Sequence, residues 1–147
     1  LSENINETIT KMETVFENNF LTIRYDERRR IVFYEWKTAT ASLSEEGFLS
    51  ECRNILKIVL EKRARFIIGD TRELRFTISP EAQKVINKEM LEQIGDFVLK
   101  FAHIESADDR VRETIEQMYE ATEEELFQNR YFENQESAFN WISDSIK

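Results

Sequence analysis

Sixteen residues constrain this chain more than any others: Arg65 to Pro80, RFIIGDTRELRFTISP, hold a buried strand, a polar exit, a loop and a helix start. Phe66, Ile67 and Ile68 form a short unbroken apolar run, the pattern of a strand covered on both faces, and Gly69, Asp70 and Thr71 close it with small polar groups. Ser79-Pro80-Glu81 reads as a helix opening. The serine oxygen can accept from a free first-turn N–H, proline lacks an N–H that would be orphaned there, and Glu81 sits at the positive end of the helix dipole. Ligands of open α/β sheets gather at the carboxyl ends of strands. Asp70, Thr71 and Arg72, with Phe76 and Ser79 on the loop beyond, therefore form the candidate ligand or partner site.

The rest of the chain supplies a sheet for this strand. Residues 1–19 are polar, with Ile5, Ile9, Met12 and Phe16 spaced to line one side of a helix, and read as an N-terminal extension with a short helix ahead of a domain spanning 20–147. Leu21 to Tyr25 alternates, Asp26 to Arg29 is charged, and Arg30 to Trp36 is β-branched and aromatic, which predicts a hairpin with Asp26 as turn former and an interior second strand. Phe48, Leu49, Cys52, Ile55, Leu56, Val59 and Leu60 recur at helical spacing, so an amphipathic helix capped by Ser42 or Ser44 runs to about Lys62. A helix follows Pro80, burying Ala82, Val85, Ile86 and Met90 and stopping at Gly95; Phe97 to Ile104 is a strand. Val111, Ile115, Met118, Tyr119 and Thr122 carry the next helix, with Glu123 to Glu125 at its end; Arg130 to Phe132 is a last strand, and Asn134 caps a final helix bearing Ala138, Trp141 and Ile142. Strands alternating with helices give one α/β domain built on a mixed sheet.

Composition narrows the chemistry. With 147 residues and a formal net charge of −9, the chain disfavours nucleic acid and anionic membranes, although a local basic patch is compatible with that total. The single Cys52 provides no disulfide and no thiolate cluster, which fits a reducing, cytoplasmic compartment. No apolar run approaches the roughly 20 residues that span a bilayer, so no integral membrane segment is expected. His103 is the only histidine, the three glycines are scattered, and no carboxylate spacing resembles a calcium loop, so neither a metal nor a nucleotide cofactor is expected. His103 at a strand end is either a hydrogen-bonded structural residue or a general base; Cys52 on an apolar stripe is a core side chain. Trp36 either belongs to the core or lines a pocket where its strand ends. Asp70 either pairs with Arg72 or Arg75, or recognises a partner.

Phe16-Glu17-Asn18 leading into Leu21-Thr22-Ile23 and Tyr25-Asp26, the Val32 to Trp36 strand, Ile68 with Asp70-Thr71-Arg72, then Phe76, Ile78-Ser79-Pro80-Glu81 and Gln83, and finally Arg130-Tyr131-Phe132 with Ala138 and Trp141-Ile142 together resemble the SpoIIAA-like branch of the STAS domains. This is the anti-anti-sigma-factor fold, also compared with the CRAL-TRIO lipid-transfer proteins. The resemblance implies a mixed sheet of about five strands with about four helices mainly on one face. It also implies a non-enzymatic bacterial regulatory module that docks a protein partner or itself, as a dimer, through strand-end loops. In anti-anti-sigma factors a serine at the start of the helix after the central strand is phosphorylated, and Ser79 falls at that place, although Ile78-Ser79-Pro80 stands where the family has Asp-Ser-Ser. The second reading is a carrier or sensor of an apolar small molecule or lipid, with Trp36, Phe76 and Phe101 lining a pocket. A deep apolar cavity would favour the carrier; an exposed patch around Phe76 and Ile78 would favour docking. An enzyme would need Asp70 and His103 to converge.

Overall fold

The hairpin forms as its residues dictate. Asp26 Oδ1 accepts from the Arg29 amide at 3.0 Å, and the strands on either side, β2 (Leu21–Asp26) and β3 (Ile31–Trp36), pair antiparallel from Asp26↔Ile31 to Leu21↔Trp36. The computed structural model describes residues 4–121 and 127–146, and Thr122 and Glu123 to Glu125 lie outside them. In chain order the elements are α1 (Ile5–Lys11), β1 (Glu13–Glu17), β2, β3, a 3-10 turn (Thr38–Ser42), α2 (Glu45–Lys62), β4 (Phe66–Asp70), α3 (Pro80–Val85), a π turn (Ile86–Leu91), α4 (Glu92–Ile94), β5 (Lys100–Ile104), α5 (Asp109–Glu120), β6 (Gln128–Phe132) and α6 (Gln135–Asp144).

One mixed sheet of six strands carries the fold, in the order β1-β2-β3-β4-β5-β6, and from β3 onward each strand is parallel to the next. Right-handed crossovers between successive parallel neighbours that always step the same way must lay their helices on the same face. Accordingly Phe48 and Val59 of α2, Ile86 and Met90 of the π turn, and Ile115 and Met118 of α5 form one core with Tyr34, Ile67 and Phe101 of the sheet. The opposite face, Ile31, Phe33, Phe66, Ile68, Ala102 and Ile104, is covered by Ile9 of α1 and by Ala138, Phe139 and Ile142 of α6.

Three expectations change here. The sheet has six strands rather than five because residues 13–17, read as part of a helix, pair with β2 instead, with a register shift between Thr14 and Phe16. Helices cover both faces rather than mainly one, since strands apolar on both sides leave neither face for solvent. The segment after Pro80 is not one continuous α-helix: its middle six residues wind as a π turn, with Ile86, Met90 and Leu91 buried.

Two arginines sit in left-handed backbone. Arg30, closing the hairpin turn, has φ 61°, and Arg63, ending α2, has φ 53°. Glycine is the usual occupant of such positions, and a Cβ there costs roughly 1–2 kcal/mol.

Candidate functional site

At the exit of β4 the polar groups turn on one another. Asp70 is buried; its carboxylate accepts from the Arg72 amide at 3.1 Å, from Arg72 Nε at 3.0 Å and Nη2 at 2.8 Å, and from Gln135 Nε2 at 3.1 Å. Gln135 opens α6, so Asp70 ties the end of β4 to the helix on the far face. Thr71 donates its hydroxyl to the Ile104 carbonyl at 2.7 Å, fixing the same exit to β5. Asp70 and Arg72 thus form the ion pair that the sequence offered as one alternative, with the carboxylate buried and the Arg72 side chain 41% exposed.

The loop after Arg72 is stitched from both sides. The Arg75 amide donates to Thr40 Oγ1 at 2.9 Å and the Ile78 amide to Thr114 Oγ1 at 3.3 Å. Ile78 is buried and Phe76 stacks on Phe48 with ring centroids 4.4 Å apart, so the exposed apolar patch that docking would need is absent from this loop. Ser79 caps α3, accepting from the Ala82 amide at 3.1 Å, and its hydroxyl donates to the carboxylate of Glu45 at the start of α2. Ser79→Ala is expected to lower stability by about 1 kcal/mol, the usual value of a lost N-cap. Ser79→Asp keeps a capping oxygen but sets a second carboxylate against Glu45, so it should be no better than alanine. Urea unfolding at neutral pH separates these outcomes, and an aspartate variant as stable as the parent would contradict the Glu45 contact.

Behind the loop lies an apolar cavity of about 80 Å³ between the sheet and the layer of α2, the π turn and α5. Trp36, Thr71 and His103 are brought together on its wall, with Phe101 of β5; Asp70, Arg72, Phe76 and Ser79 are not on it. Trp36 stacks on Phe48 at 5.1 Å on the wall, and Phe76 of the loop stacks on Phe48 without lining the cavity itself. The π turn presents Ile86, Met90 and Leu91 from the opposite side.

The polar groups on this wall are neutral and engaged. His103 Nε2 lies 2.8 Å from Asn129 Oδ1, and the ring is stacked between Phe101 at 4.2 Å and Tyr131 at 5.0 Å, with Tyr119 also at 4.2 Å. Burial lowers its pKa to about 4, against partial support from Asn129, so imidazole rather than imidazolium is present near neutrality. Tyr34 and Tyr119 hydrogen-bond to each other, and burial raises both phenols well above their ordinary range. Burial likewise raises the Cys52 thiol, so it is no thiolate. Gly69 lets the Tyr34 ring lie against β4: a Cβ there would overlap the phenol oxygen. A glycine inside an apolar strand is the local mark of such a close approach, and the partner, Tyr34 on the neighbouring strand, is supplied by the fold.

Asp70 and His103 sit on neighbouring strands but their hydrogen bonds run to different partners, and the pairing required for acid–base work is not made. Elsewhere, at the exit of β5, Glu105 shares a contact with Glu116 of α5; desolvation first, then Glu116, raises its pKa to about 7. A Glu titrates near 4.3 when unfolded, so the protonated form stabilises the fold fully below that pH, and the contribution is lost as pH rises through about 7. Glu105→Gln keeps the neutral form at every pH. The variant should melt with the parent at pH 4 and about 2 °C above it at pH 8, the small size reflecting solvent screening of a half-exposed group. Equal melting at both pH values would contradict the raised pKa.

Among the described residues no cluster of His, Cys, Asp and Glu is arranged to hold a metal, and no helix is long and apolar enough to cross a membrane. No known protein family matches this chain, and no curated protein sequence matches it either.

Proposed function

We propose that this chain is a non-catalytic, STAS-like regulatory module that binds a small apolar molecule in the cavity between Trp36, His103 and the π turn. The observation that carries the reading is the cavity itself: its wall is aromatic and aliphatic, and its His103, tyrosine and Cys52 groups are uncharged near neutrality, so it asks for no charged ligand. At about 80 Å³ it is roughly half the ~150 Å³ of an apolar cavity known to stay dry and take up benzene. A full lipid chain is therefore too large for the wall as it stands, and the ligand class is a molecule of a few heavy atoms.

Support for the STAS-like part is the succession of parallel strands β3 to β6 with its three crossovers on one face, together with Ser79 as the cap of the helix after β4. The separate pairing of Asp70 and His103 supports a binding role over catalysis. Native mass spectrometry of protein purified from its own cells, beside a denatured control, tests the reading. A small apolar mass lost on denaturation is expected. An empty chain whose melting temperature is also unmoved by xenon, a single apolar atom that such cavities take up, would overturn it.

A further inference from the structure

The amino-terminal ends of β3, β4 and β5 form one rim: the Arg65 amide donates to the Arg30 carbonyl at 3.0 Å and the Leu99 amide to the Arg65 carbonyl at 2.8 Å. Although the chain as a whole carries −9, this rim gathers Arg28, Arg29, Arg30, Arg63, Arg65 and Lys100. Arg30 Nη2 reaches the Arg63 carbonyl at 2.7 Å, so hairpin and helix end share one surface. Acids are present too: Asp26 pairs with Arg29 at 3.5 Å, and Glu27, Glu61, Asp96 and Asp144 are at the same end.

Two further facts single out the rim. Leu99 and Ile146 are the exposed large hydrophobics of the described residues, at 48% and 45%, and both belong to it. Leu99 follows Phe97, over whose ring Arg63 lies at 5.4 Å, and Ile146 borders a hollow with Arg28 and Arg29. In addition, the left-handed residues of the described chain, Arg30 and Arg63, are both here. Glycine is the usual occupant of such backbone, and at this rim both positions carry a cation instead.

From this geometry we infer that the rim docks on an anionic lipid surface, with the arginines on the headgroups and Leu99 and Ile146 entering the boundary beneath. Guanidinium groups around exposed aliphatic side chains match that interface, where attraction to anionic lipid adds to apolar burial. A second copy of the chain is a poorer fit. Its carboxyl-end acids, such as Glu105 and Glu133, complement the charge, but among the described residues that end offers no exposed large apolar side chain to meet Leu99 and Ile146. The net negative charge does not forbid the contact, because at physiological salt charges beyond about 8 Å are largely screened.

Sedimentation of the full chain with phosphatidylcholine vesicles, with and without phosphatidylserine, tests the inference. Binding only to the anionic vesicles, weakening as salt is raised, is expected. The Arg30→Gly/Arg63→Gly variant relieves both left-handed positions, so it should melt at or above the parent temperature while its vesicle affinity falls about 20-fold. Leu99→Ser/Ile146→Ser should weaken vesicle binding without altering its salt dependence. Absence of binding to anionic vesicles, or binding unchanged in the double glycine variant, would overturn the inference. So would equal binding to polyglutamate with no effect of the serine substitutions, which would mark an acidic protein partner.

Discussion

Alanine at position 69 is expected to lower folding stability by about 3 kcal/mol, the upper part of the range for overpacking a filled core. The new Cβ would overlap the Tyr34 phenol oxygen and stand 2.5 Å from its Cζ, closer than Cβ atoms come to their neighbours in folded proteins. Relief would require the ring to move, and it is held on several sides. Trp36 and Phe101 pack edge-on at 6.1 Å and 6.3 Å, and Tyr119 hydrogen-bonds the phenol. Since domains are commonly stable by only about 5–15 kcal/mol, such a loss should be plain in urea unfolding. The cause is separable from a generic strand effect. Tyr34→Val removes the obstructing ring, and in that background Gly69→Ala should cost much less, a coupling that a double-mutant cycle measures. An equal cost in both backgrounds would show that the tyrosine is not what keeps Gly69 a glycine.

His103 produces the second large effect, and it depends on pH. Its folded pKa of about 4 lies below the unfolded value near 6.5. The folded state therefore binds fewer protons than the unfolded state between these values. Its neutral form contributes stability fully above about 6.5, and that contribution is lost as pH falls toward about 4. A difference of this size corresponds to roughly 3 kcal/mol. The carboxylates titrate over part of the same range, so the informative quantity is the difference between parent and His103→Gln. Glutamine does not ionise. The variant should be the less stable protein at pH 7, having lost the aromatic stack, yet the gap should close as pH is lowered to 4. A gap independent of pH would contradict a buried neutral imidazole.

Much of this architecture is written in local pattern. The alternation of Leu21 to Tyr25, the turn chemistry of Asp26, the helical spacing from Phe48 to Leu60 and the caps Ser44, Ser79 and Asn134 all depend on neighbours a few residues away, and all form as their residues suggest. Where the reading changes, the deciding partner is distant. Glu13 to Glu17 is short and amphipathic enough to suit helix or strand, and it becomes a strand because β2 offers an open edge. The π turn has no marker of its own, since the same side chains would serve an α-helix; packing against the sheet selects it. The apolar faces of β3 and β4 already demanded cover on both sides, whereas the resemblance pointed to mainly one.

The site divides in the same way. Trp36, Thr71 and His103 could be placed at strand ends from sequence, and their strands carry them to one cavity wall. Asp70 was open between pairing and recognition; it pairs with Arg72, and its further partner Gln135, 65 residues away, was out of reach of local pattern. Tyr119 and the π turn could not be assigned to that wall beforehand, because the α5 and π-turn patterns mark which residues are buried without saying against what. Glu105 was likewise invisible: only the fold brings Glu116 to it.

The central claim is that the cavity is a binding site for a small apolar molecule, and methyl NMR of the full chain under increasing xenon pressure tests it most directly. Saturable shifts confined to methyls of the cavity wall, such as those of Val59, Ile67, Ile86, Met90 and Ile115, are predicted, and they should vanish in the cavity-filling variant Cys52→Leu, which itself should be no less stable than the parent. Shifts that never saturate, or that fall on residues remote from these walls and survive in Cys52→Leu, would contradict it.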